Sequence, residues 1–341
     1  MDPRVQPVHP DSAEDSTARS TPELRRSTPR WALGLSLGLN VLLLAMWMAD
    51  RSGGLPREGS AATGAAPAPS ANPAEMSKRE LDPERLLQQV NPVGGFNLQA
   101  HHGDLGPRLI QAGAIDPDRF VQVYQKAGRP LTADQLTALM DGSDAPVVIN
   151  RENSHFLLNF FWALGLANRS PLLEDGPLMS YSKGDIGRFA STGGWTLGAR
   201  PATDLYSSAN ILELTLQQHD LVERVASHVY RPCCDNHAAF PDCNHGMAML
   251  GLLQLLASQG ASEGEMLKAA KHANSFWFPQ QAMEVAAFFQ ATQGLAYEQV
   301  APSDAVGRER FSGTGFNDLH RWLAENGLLQ EAPRQGGNCG V

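Results

Sequence analysis

The sequence lacks the short motifs by which many enzymes are recognised. It contains no glycine-rich phosphate loop after a strand, no G-x-S-x-G elbow, no H-E-x-x-H zinc motif, no EF-hand loop and no dinucleotide fingerprint. These absences argue against a nucleotide-dependent enzyme. Strand-like alternation of apolar and polar residues is also almost absent, apart from Val147–Ile149. The pattern therefore argues against a β-rich fold.

Positive charge is scarce as well. Only five of the 27 basic residues are lysine, and 36 acidic residues give the chain a net charge of −9. Basic and acidic residues balance within 1–30 and within 31–80, so the whole net charge belongs to 81–341. A domain this acidic, with no basic stripe, is poorly suited to nucleic acid or anionic lipid. We predict no nucleic-acid partner, and the sequence does not indicate which proteins the chain binds. The excess of arginine over lysine is typical of a GC-rich prokaryotic genome.

One apolar run is long enough to cross a membrane. Residues 31–49 read WALGLSLGLNVLLLAMWMA and carry no charge, and about 20 such residues span the hydrocarbon layer as a helix. Three arginines in the six preceding residues favour a cytoplasmic N-terminus. A cleaved signal peptide is the alternative, but the run is longer than a usual signal-peptide core, and Trp47 stands where cleavage needs a small residue. We predict a signal-anchor in the cell membrane, with the C-terminal domain outside the cytoplasm.

The segments beside this anchor have the composition of tails and linkers. Residues 1–30 are rich in Pro, Ser, Asp and Arg, and we predict a disordered cytoplasmic tail. Residues 50–80 form an Ala/Pro/Gly/Ser-rich linker that cannot bury enough apolar surface to fold. The membrane partner of the chain is therefore expected to be reached through residues 31–49 alone.

Residues 81–341 carry the signals of a mainly helical extracytoplasmic domain. Asp82-Pro83 and Asp116-Pro117 match helix starts, and Thr132 and Ser262 each open a capping box. The Phe-rich run at 153–167 is apolar on most faces and predicts a central buried helix. Further helices are expected near 213–229, 243–258, 263–275, 279–292 and 316–328. We predict an all-α (mainly α) multi-helix fold with one long irregular loop over Ser170–Ser208, which is rich in Gly, Ser and Pro.

Residues able to carry chemistry are concentrated in the run YRPCCDNHAAFPDCNHGMAM, from Tyr230 to Met249. Thiolate and imidazole groups are the ligands that zinc, copper and iron accept, and a short loop entering a helix can bring several of them to one point. We predict a transition-metal site, of undetermined metal, formed by Cys233, Cys234, His237, Cys243 and His245.

The same run predicts a reactive thiol. Asp242 has the character of an N-cap, which would place Cys243 and His245 in the first turn of a helix, where the positive helix end makes a thiol more acidic. In a catalytic site Cys243 would be the nucleophile or redox thiol and His245 or His237 the general base. The Ser170–Ser208 loop would then cover the pocket.

Two alternatives to a metal site stay open at this level. The spacing C-C-x2-H-x5-C-x-H matches no usual zinc finger, haem-attachment or thioredoxin motif. Four cysteines outside the cytoplasm can form two disulfides, with Cys233 and Cys234 pairing to Cys243 and Cys339, since a bond between adjacent cysteines is strained. The chain would then be a disulfide-stapled interaction or scaffold domain. The other alternative is a thiol redox or nucleophilic enzyme.

The sequence also resembles a known group of chains. The run from Tyr230 to Leu250, with its CC and FPDCNHG segments, is similar to one in uncharacterised membrane-anchored prokaryotic proteins, as is the stretch Val147–Met179. The resemblance covers the soluble domain and implies a membrane anchor, but it implies no activity and assigns no catalytic residue.

The sequence contains one pair of adjacent histidines, upstream of the cysteine-containing run. His101 and His102 lie in a polar stretch that we expect to be a loop, and they could add ligands to the same metal centre. Adjacent histidines in a polar loop are more typical of a solvated surface.

Overall fold

The computed structural model of the chain describes residues 81–329. This part is 61% helix and 8% strand, which confirms the predicted mainly α class. Its elements are α1 (Pro83–Val90), β1 (Phe96–Gly103), α2 (Leu105–Gln111), α3 (Pro117–Lys126), α4 (Ala133–Met140), β2 (Ser143–Ile149), α5 (Ser154–Ala167), α6 (Pro171–Glu174), α7 (Pro177–Ser182), α8 (Ala190–Gly193), α9 (Ala202–Leu205), α10 (Leu216–His228), α11 (Asn244–Ser258), α12 (Glu263–Trp277), α13 (Pro279–Gln293), α14 (Pro302–Val306), α15 (Arg308–Phe311) and α16 (Gly313–Glu325).

The helix starts follow the predicted capping chemistry. The side chains of Asp82 and Asp116 accept hydrogen bonds from backbone N–H groups in the first turns of α1 and α3. Both predicted capping boxes are present, at Thr132 and at Ser262, and a third opens α10 at Thr215. Each cap satisfies N–H groups that have no partner inside the helix, so these boundaries are fixed locally.

The core is centred on two apolar helices, α5 and α11, which pack directly against each other. Two glycines make this close approach possible. A Cβ on Gly165 would lie 2.0 Å from the carbonyl oxygen of Met247, and a Cβ on Gly251 would lie 2.2 Å from that of Phe161. Any side chain larger than hydrogen would push the helices apart, so α11 is held firmly against α5.

A two-stranded antiparallel sheet stands beside the helices, and β1 was not predicted. Phe96 pairs with Ile149 and Gly103 with Ser143, with irregular register between them. Leu98 and Ala100 are buried between exposed polar residues, so the apolar–polar alternation from Phe96 to His101 could have predicted this strand. Within it, Gln99 lies in the left-handed region at φ 59°. The expected polar loop at His101 is therefore a strand.

The segment 170–208 is not the irregular loop that we predicted. It folds into short helical pieces, and α6 and α7 begin at prolines, which favour the first position of a helix. Two buried indoles tie it to the core: Trp162 donates to the carbonyl oxygen of Ser191 at 2.6 Å, and Trp195 donates to that of Ala114 at 2.9 Å. The Gly and Ser residues lie between short helices that are stabilised by tertiary contacts. The local composition does not reveal these contacts, so it indicated a loop.

Within the described residues, no helix combines the length and the apolar character needed to cross a membrane. The predicted anchor at 31–49, the linker at 50–80 and Cys339 lie outside the described residues.

Candidate functional site: a thiol cluster around a buried arginine

The cysteines lie in the connection between α10 and α11, residues 229–243, which we call the cysteine loop. The loop closes on itself through a bridge between Tyr230 and His237 and a hydrogen bond from the N–H of Ala238 to the carbonyl oxygen of Val229, at 2.8 Å. The first part of the loop is also bound to the end of α14, because the N–H of Tyr230 donates to the carbonyl oxygen of Val306 at 2.8 Å. These contacts give the loop a defined shape without regular secondary structure.

Arg231 lies at the centre of the loop, with a side chain that is 0% exposed. Its guanidinium donates to the carbonyl oxygens of His237 and Phe240 at 3.1 and 3.2 Å. It also donates to the carboxylate of Asp242 at 2.7 Å and to the sulfur of Cys234 at 3.3 Å. One planar side chain therefore organises the loop from residue 234 to residue 242.

A glycine makes room for this cation at the start of α11. A Cβ on Gly246 would lie 2.4 Å from Nη1 of Arg231 and 3.1 Å from Cα of Pro241. The helix end and the guanidinium can approach each other only because position 246 carries no side chain. The consequence is a concentration of positive charge, from Arg231 and from the helix N-terminus, beside the cysteines.

Three free thiols meet in this loop. The sulfur atoms of Cys233 and Cys243 are 3.9 Å apart, and Cys234 lies within hydrogen-bonding reach of both. Hydrogen bonds from Cys233 and Cys243, together with the charge of Arg231, hold the pKa of Cys234 well below its usual value. The hydrogen bonds to Cys234 and Cys243, together with burial, raise the pKa of Cys233. Negative charge is therefore placed on Cys234, next to the guanidinium.

The charge on Arg231 is held in turn by these neighbours. Burial alone would lower the pKa of its guanidinium, but the nearby Cys243, Cys234 and Asp242 outweigh burial and raise that pKa above its usual value. Arg231 therefore stays charged although no part of its side chain reaches solvent.

The predicted cap of α11 needs a correction. The N-cap is Cys243 itself, whose sulfur accepts from the N–H of Gly246 at 3.5 Å. The carboxylate of Asp242 is occupied by Arg231 and by the side-chain amide of Asn236, at 2.8 Å, and so cannot cap the helix. The predicted acidic thiol at Cys243 is not found: its hydrogen bond with Cys233 lowers its pKa, but the bond with Cys234 and burial outweigh this and raise it.

The two candidate histidines are packed on aromatic rings. The ring of His245 lies 4.4 Å from that of Phe278, and its Nδ1 is 2.9 Å from the side-chain oxygen of Asn244. Burial lowers the pKa of His245 to about 3. The ring of His237 lies 5.7 Å from that of Tyr230, its Nδ1 is buried without a partner, and burial and Arg231 lower its pKa. Both imidazoles are neutral at pH 7.

The cysteine loop is docked onto the N-terminus of α16. The carbonyl oxygen of Cys234 accepts from the N–H of Gly313 at 2.8 Å. Both carboxylate oxygens of Asp235 are bound by Thr314, through its N–H at 2.6 Å and its hydroxyl at 2.5 Å. The positive end of α16 therefore stabilises the side of the loop that carries Cys234.

The segment 170–208 also contacts the loop. The rings of Tyr181 and Phe189 lie 5.8 and 6.3 Å from that of Phe240, and the N–H of Ser191 donates to the carbonyl oxygen of Asp242 at 3.1 Å. A cleft of about 530 Å³ opens on another side of the loop, between α10, α13 and α15, with Tyr230 in its wall. No cysteine lines that cleft.

The remaining candidates are engaged elsewhere. His101 lies on β1, where its Nδ1 is 2.9 Å from the carbonyl oxygen of Asp144, and the ring of His102 packs on Phe160 at 5.8 Å. As the side chains are placed, no group of three or more His, Cys, Asp or Glu residues in 81–329 is arranged to hold a metal ion.

The structure thus brings together the three predicted cysteines, and it adds residues that we did not single out. Arg231 and Asp235 flank the cysteine pair in the sequence, and Gly246 follows the third cysteine. The opposite charges of Arg231 and Asp235 on either side of the two adjacent cysteines could have indicated these two residues. Comparison of the chain with protein-family models, with curated proteins and with solved structures gave no match.

Proposed function

We propose that the protein binds one soft transition-metal ion through the thiolates of Cys233, Cys234 and Cys243. The carrying observation is the 3.9 Å separation of the sulfurs of Cys233 and Cys243. Two sulfurs bound to one tetrahedral ion at about 2.3 Å lie about 3.8 Å apart. The pair therefore already has the spacing of two ligands on one metal, while the third thiol lies beside it.

The electrostatics of the loop support an anionic ligand set. Three thiolates around one divalent ion leave a net negative charge, which is unfavourable in a half-buried loop unless cations lie nearby. The guanidinium of Arg231 and the N-terminal end of α11 supply positive charge at that place.

Coordination by all three thiols requires one side chain to turn. The sulfur of Cys234 is held by Arg231, so it must leave the guanidinium and join the other two sulfurs. His237 and His245 are the candidates for a further ligand, because each is neutral and a neutral imidazole binds metal. His237 is the better candidate since its Nδ1 has no partner, whereas Nδ1 of His245 faces Asn244.

Elemental analysis of the purified chain tests this proposal. We expect about one zinc, copper or iron per chain, with the metal lost in Cys243→Ser and in Cys234→Ser. A matched control is Ser258→Ala, at the other end of α11, which should keep the metal. A metal-free wild-type chain with three titratable thiols at 233, 234 and 243 would contradict the proposal. A metal-free chain with no free thiol would instead support the disulfide-stapled scaffold.

We further propose that this site lies outside the cytoplasm, on a domain tethered by residues 31–49. The sequence pattern of the anchor and its flanking arginines is the support. Reporter fusions at the C-terminus that are active only outside the cytoplasm should be active, and removal of residues 31–49 should abolish membrane association. A C-terminal reporter active only in the cytoplasm would overturn the orientation.

A thiol nucleophile or redox centre is the second candidate function, and one contact favours it. Nη2 of Arg231 lies 3.3 Å from the sulfur of Cys234, an arrangement that stabilises an attacking thiolate. This contact assigns the attacking role to Cys234 rather than to Cys243. Limited alkylation of the metal-free chain with iodoacetamide should then modify Cys234 before the more exposed Cys233, and preferential modification of Cys233 would argue against it.

A further inference from the structure

We propose that Cys233 and Cys243 are a reversible redox pair, and that a disulfide between them releases the metal. The release rests on the proposed metal-binding function, whereas the pairing rests on the loop geometry alone. Of the connectivities open to the three thiols, Cys233 and Cys243 form the disulfide, and Cys234 stays outside it.

The geometry selects this pair. The sulfurs of Cys233 and Cys243 are 3.9 Å apart, and the contact joins an exposed residue of the loop to the N-cap residue of a helix. Cys233 is exposed on a turn, so a small backbone movement can bring its sulfur within bonding distance. Cys243 is fixed at the start of α11 and provides a stationary partner.

Cys234 is excluded from the pair by its contacts. Its sulfur faces Nη2 of Arg231 at 3.3 Å and the carbonyl oxygen of Asn236 at 4.0 Å. Its carbonyl oxygen is held by α16, which limits movement of the backbone at this residue. A bond between Cys233 and Cys234 would close a strained ring between adjacent residues.

The reaction needs an oxidant, and a small disulfide such as oxidised glutathione is the class we propose. In the metal-bound chain the sulfur of Cys233 is a thiolate and is the most exposed of the three. It attacks one sulfur of that disulfide, which breaks the S–S bond and releases one thiolate. The sulfur of Cys243 then attacks the mixed disulfide on Cys233 and releases the second thiolate. The two protein thiolates are oxidised to one disulfide and the small disulfide is reduced to two thiolates, which take their protons from water, while the metal ion leaves as a free cation.

Oxidation removes two of the three sulfur ligands at once. A disulfide sulfur is a poor metal ligand because the thiolate is the binding form. Cys234 alone cannot hold the ion against water, so the metal leaves. The exposed position of Cys233 makes the reaction dependent on the redox state of the surroundings.

The test uses the full-length chain with Cys339→Ser, so that only three thiols remain, loaded with Cd²⁺ as the probe metal. Ultraviolet absorption reports cadmium–thiolate bonds, and thiol titration under denaturing conditions counts free cysteines. With oxidised glutathione we expect the count to fall from three to one, in step with loss of the absorption band. Dithiothreitol should restore both.

A matched pair of variants identifies the partners. Cys234→Ser should still form the disulfide and fall from two thiols to none, whereas Cys233→Ser should keep both of its thiols under the same treatment. Equal oxidation of Cys233→Ser would overturn the pairing, and a disulfide that forms while Cd²⁺ stays bound would overturn the release. If the reduced chain binds no Cd²⁺ but still forms the Cys233–Cys243 bond, the proposed function fails and the redox pair stands.

Discussion

Two cationic side chains are buried within residues 81–329, and their surroundings differ in charge. Arg231 is fully buried beside a carboxylate and three sulfurs, and its pKa is raised. Lys271, on α12, is 2% exposed and donates to the carbonyl oxygens of Tyr297 and Val300 at 2.5 and 2.9 Å. Burial lowers the pKa of Lys271 to about 8. Arg231 therefore balances the charge of nearby anions, whereas Lys271 holds α12 against the backbone at Tyr297 and Val300.

The largest effect is expected from Arg231→Met. The change removes the charged donor that Asp242 and two carbonyl oxygens share, and breaking a buried ion pair costs about 3–5 kcal/mol. Urea unfolding followed by tryptophan fluorescence measures the loss. Arg321→Met is the control, since Arg321 pairs with Asp318 on the surface and should change stability by less than about 1 kcal/mol. A similar, small loss for both variants would break the comparison.

Arg231→Lys should lie between these values, at about 2 kcal/mol, because an ammonium keeps the charge but not the planar fork. It cannot reach the two carbonyl oxygens, the carboxylate and the sulfur together. The same unfolding measurement checks this. If Arg231→Lys is as unstable as Arg231→Met, the geometry of the guanidinium matters and its charge does not.

Lys271→Met should change the pH dependence of stability. Between about pH 8 and 10.5 the unfolded chain binds a proton on Lys271 that the folded chain has lost, so the free energy of unfolding rises with pH. The rise is at most about 1.4 kcal/mol per pH unit. The difference in the free energy of unfolding between wild type and Lys271→Met should therefore grow from pH 7.5 to 9.5. Taking this difference removes the contributions of titrating groups that both proteins share. A constant difference would show that Lys271 is not the titrating group.

The smallest effect is expected from Asp235→Asn, which weakens the contact of the cysteine loop with α16. Hydrogen bonds from Thr314 hold the pKa of Asp235 below its usual value. Its contribution is therefore present above the unfolded pKa of about 4 and is lost as pH falls through the lower folded value. The thermal midpoint of the variant should fall slightly at pH 7 and match wild type at the lowest pH. Asp318→Asn serves as the surface control, and an equal shift in both would contradict the docking role.

Much of the fold follows from local chemistry that a sequence displays. The caps at Asp82, Asp116, Thr132 and Ser262 fix helix starts through hydrogen bonds within four residues, so they could be predicted. The structure of the segment 170–208 could not be predicted, because its short helices depend on distant partners such as the core indole of Trp162.

The candidate site could likewise be predicted only in part. The three cysteines could be recognised because they lie within eleven residues of one another. The role of Arg231 could not, since it depends on a loop that folds back so that residues 237 to 242 surround one guanidinium. The cap was assigned to Asp242 by residue type, and that prediction was wrong because Arg231 competes for the same carboxylate.

The glycine contact between α5 and α11 has a consequence for how the domain opens. Since Gly165 and Gly251 lock the two helices together, amide protons along α11 should exchange with solvent only when the whole domain unfolds. Amides near Cys233 should exchange through a smaller opening that leaves the core intact. The thiol cluster therefore spans the border between a slowly and a rapidly exchanging unit, and Cys233 can leave Cys243 without any cost to the core.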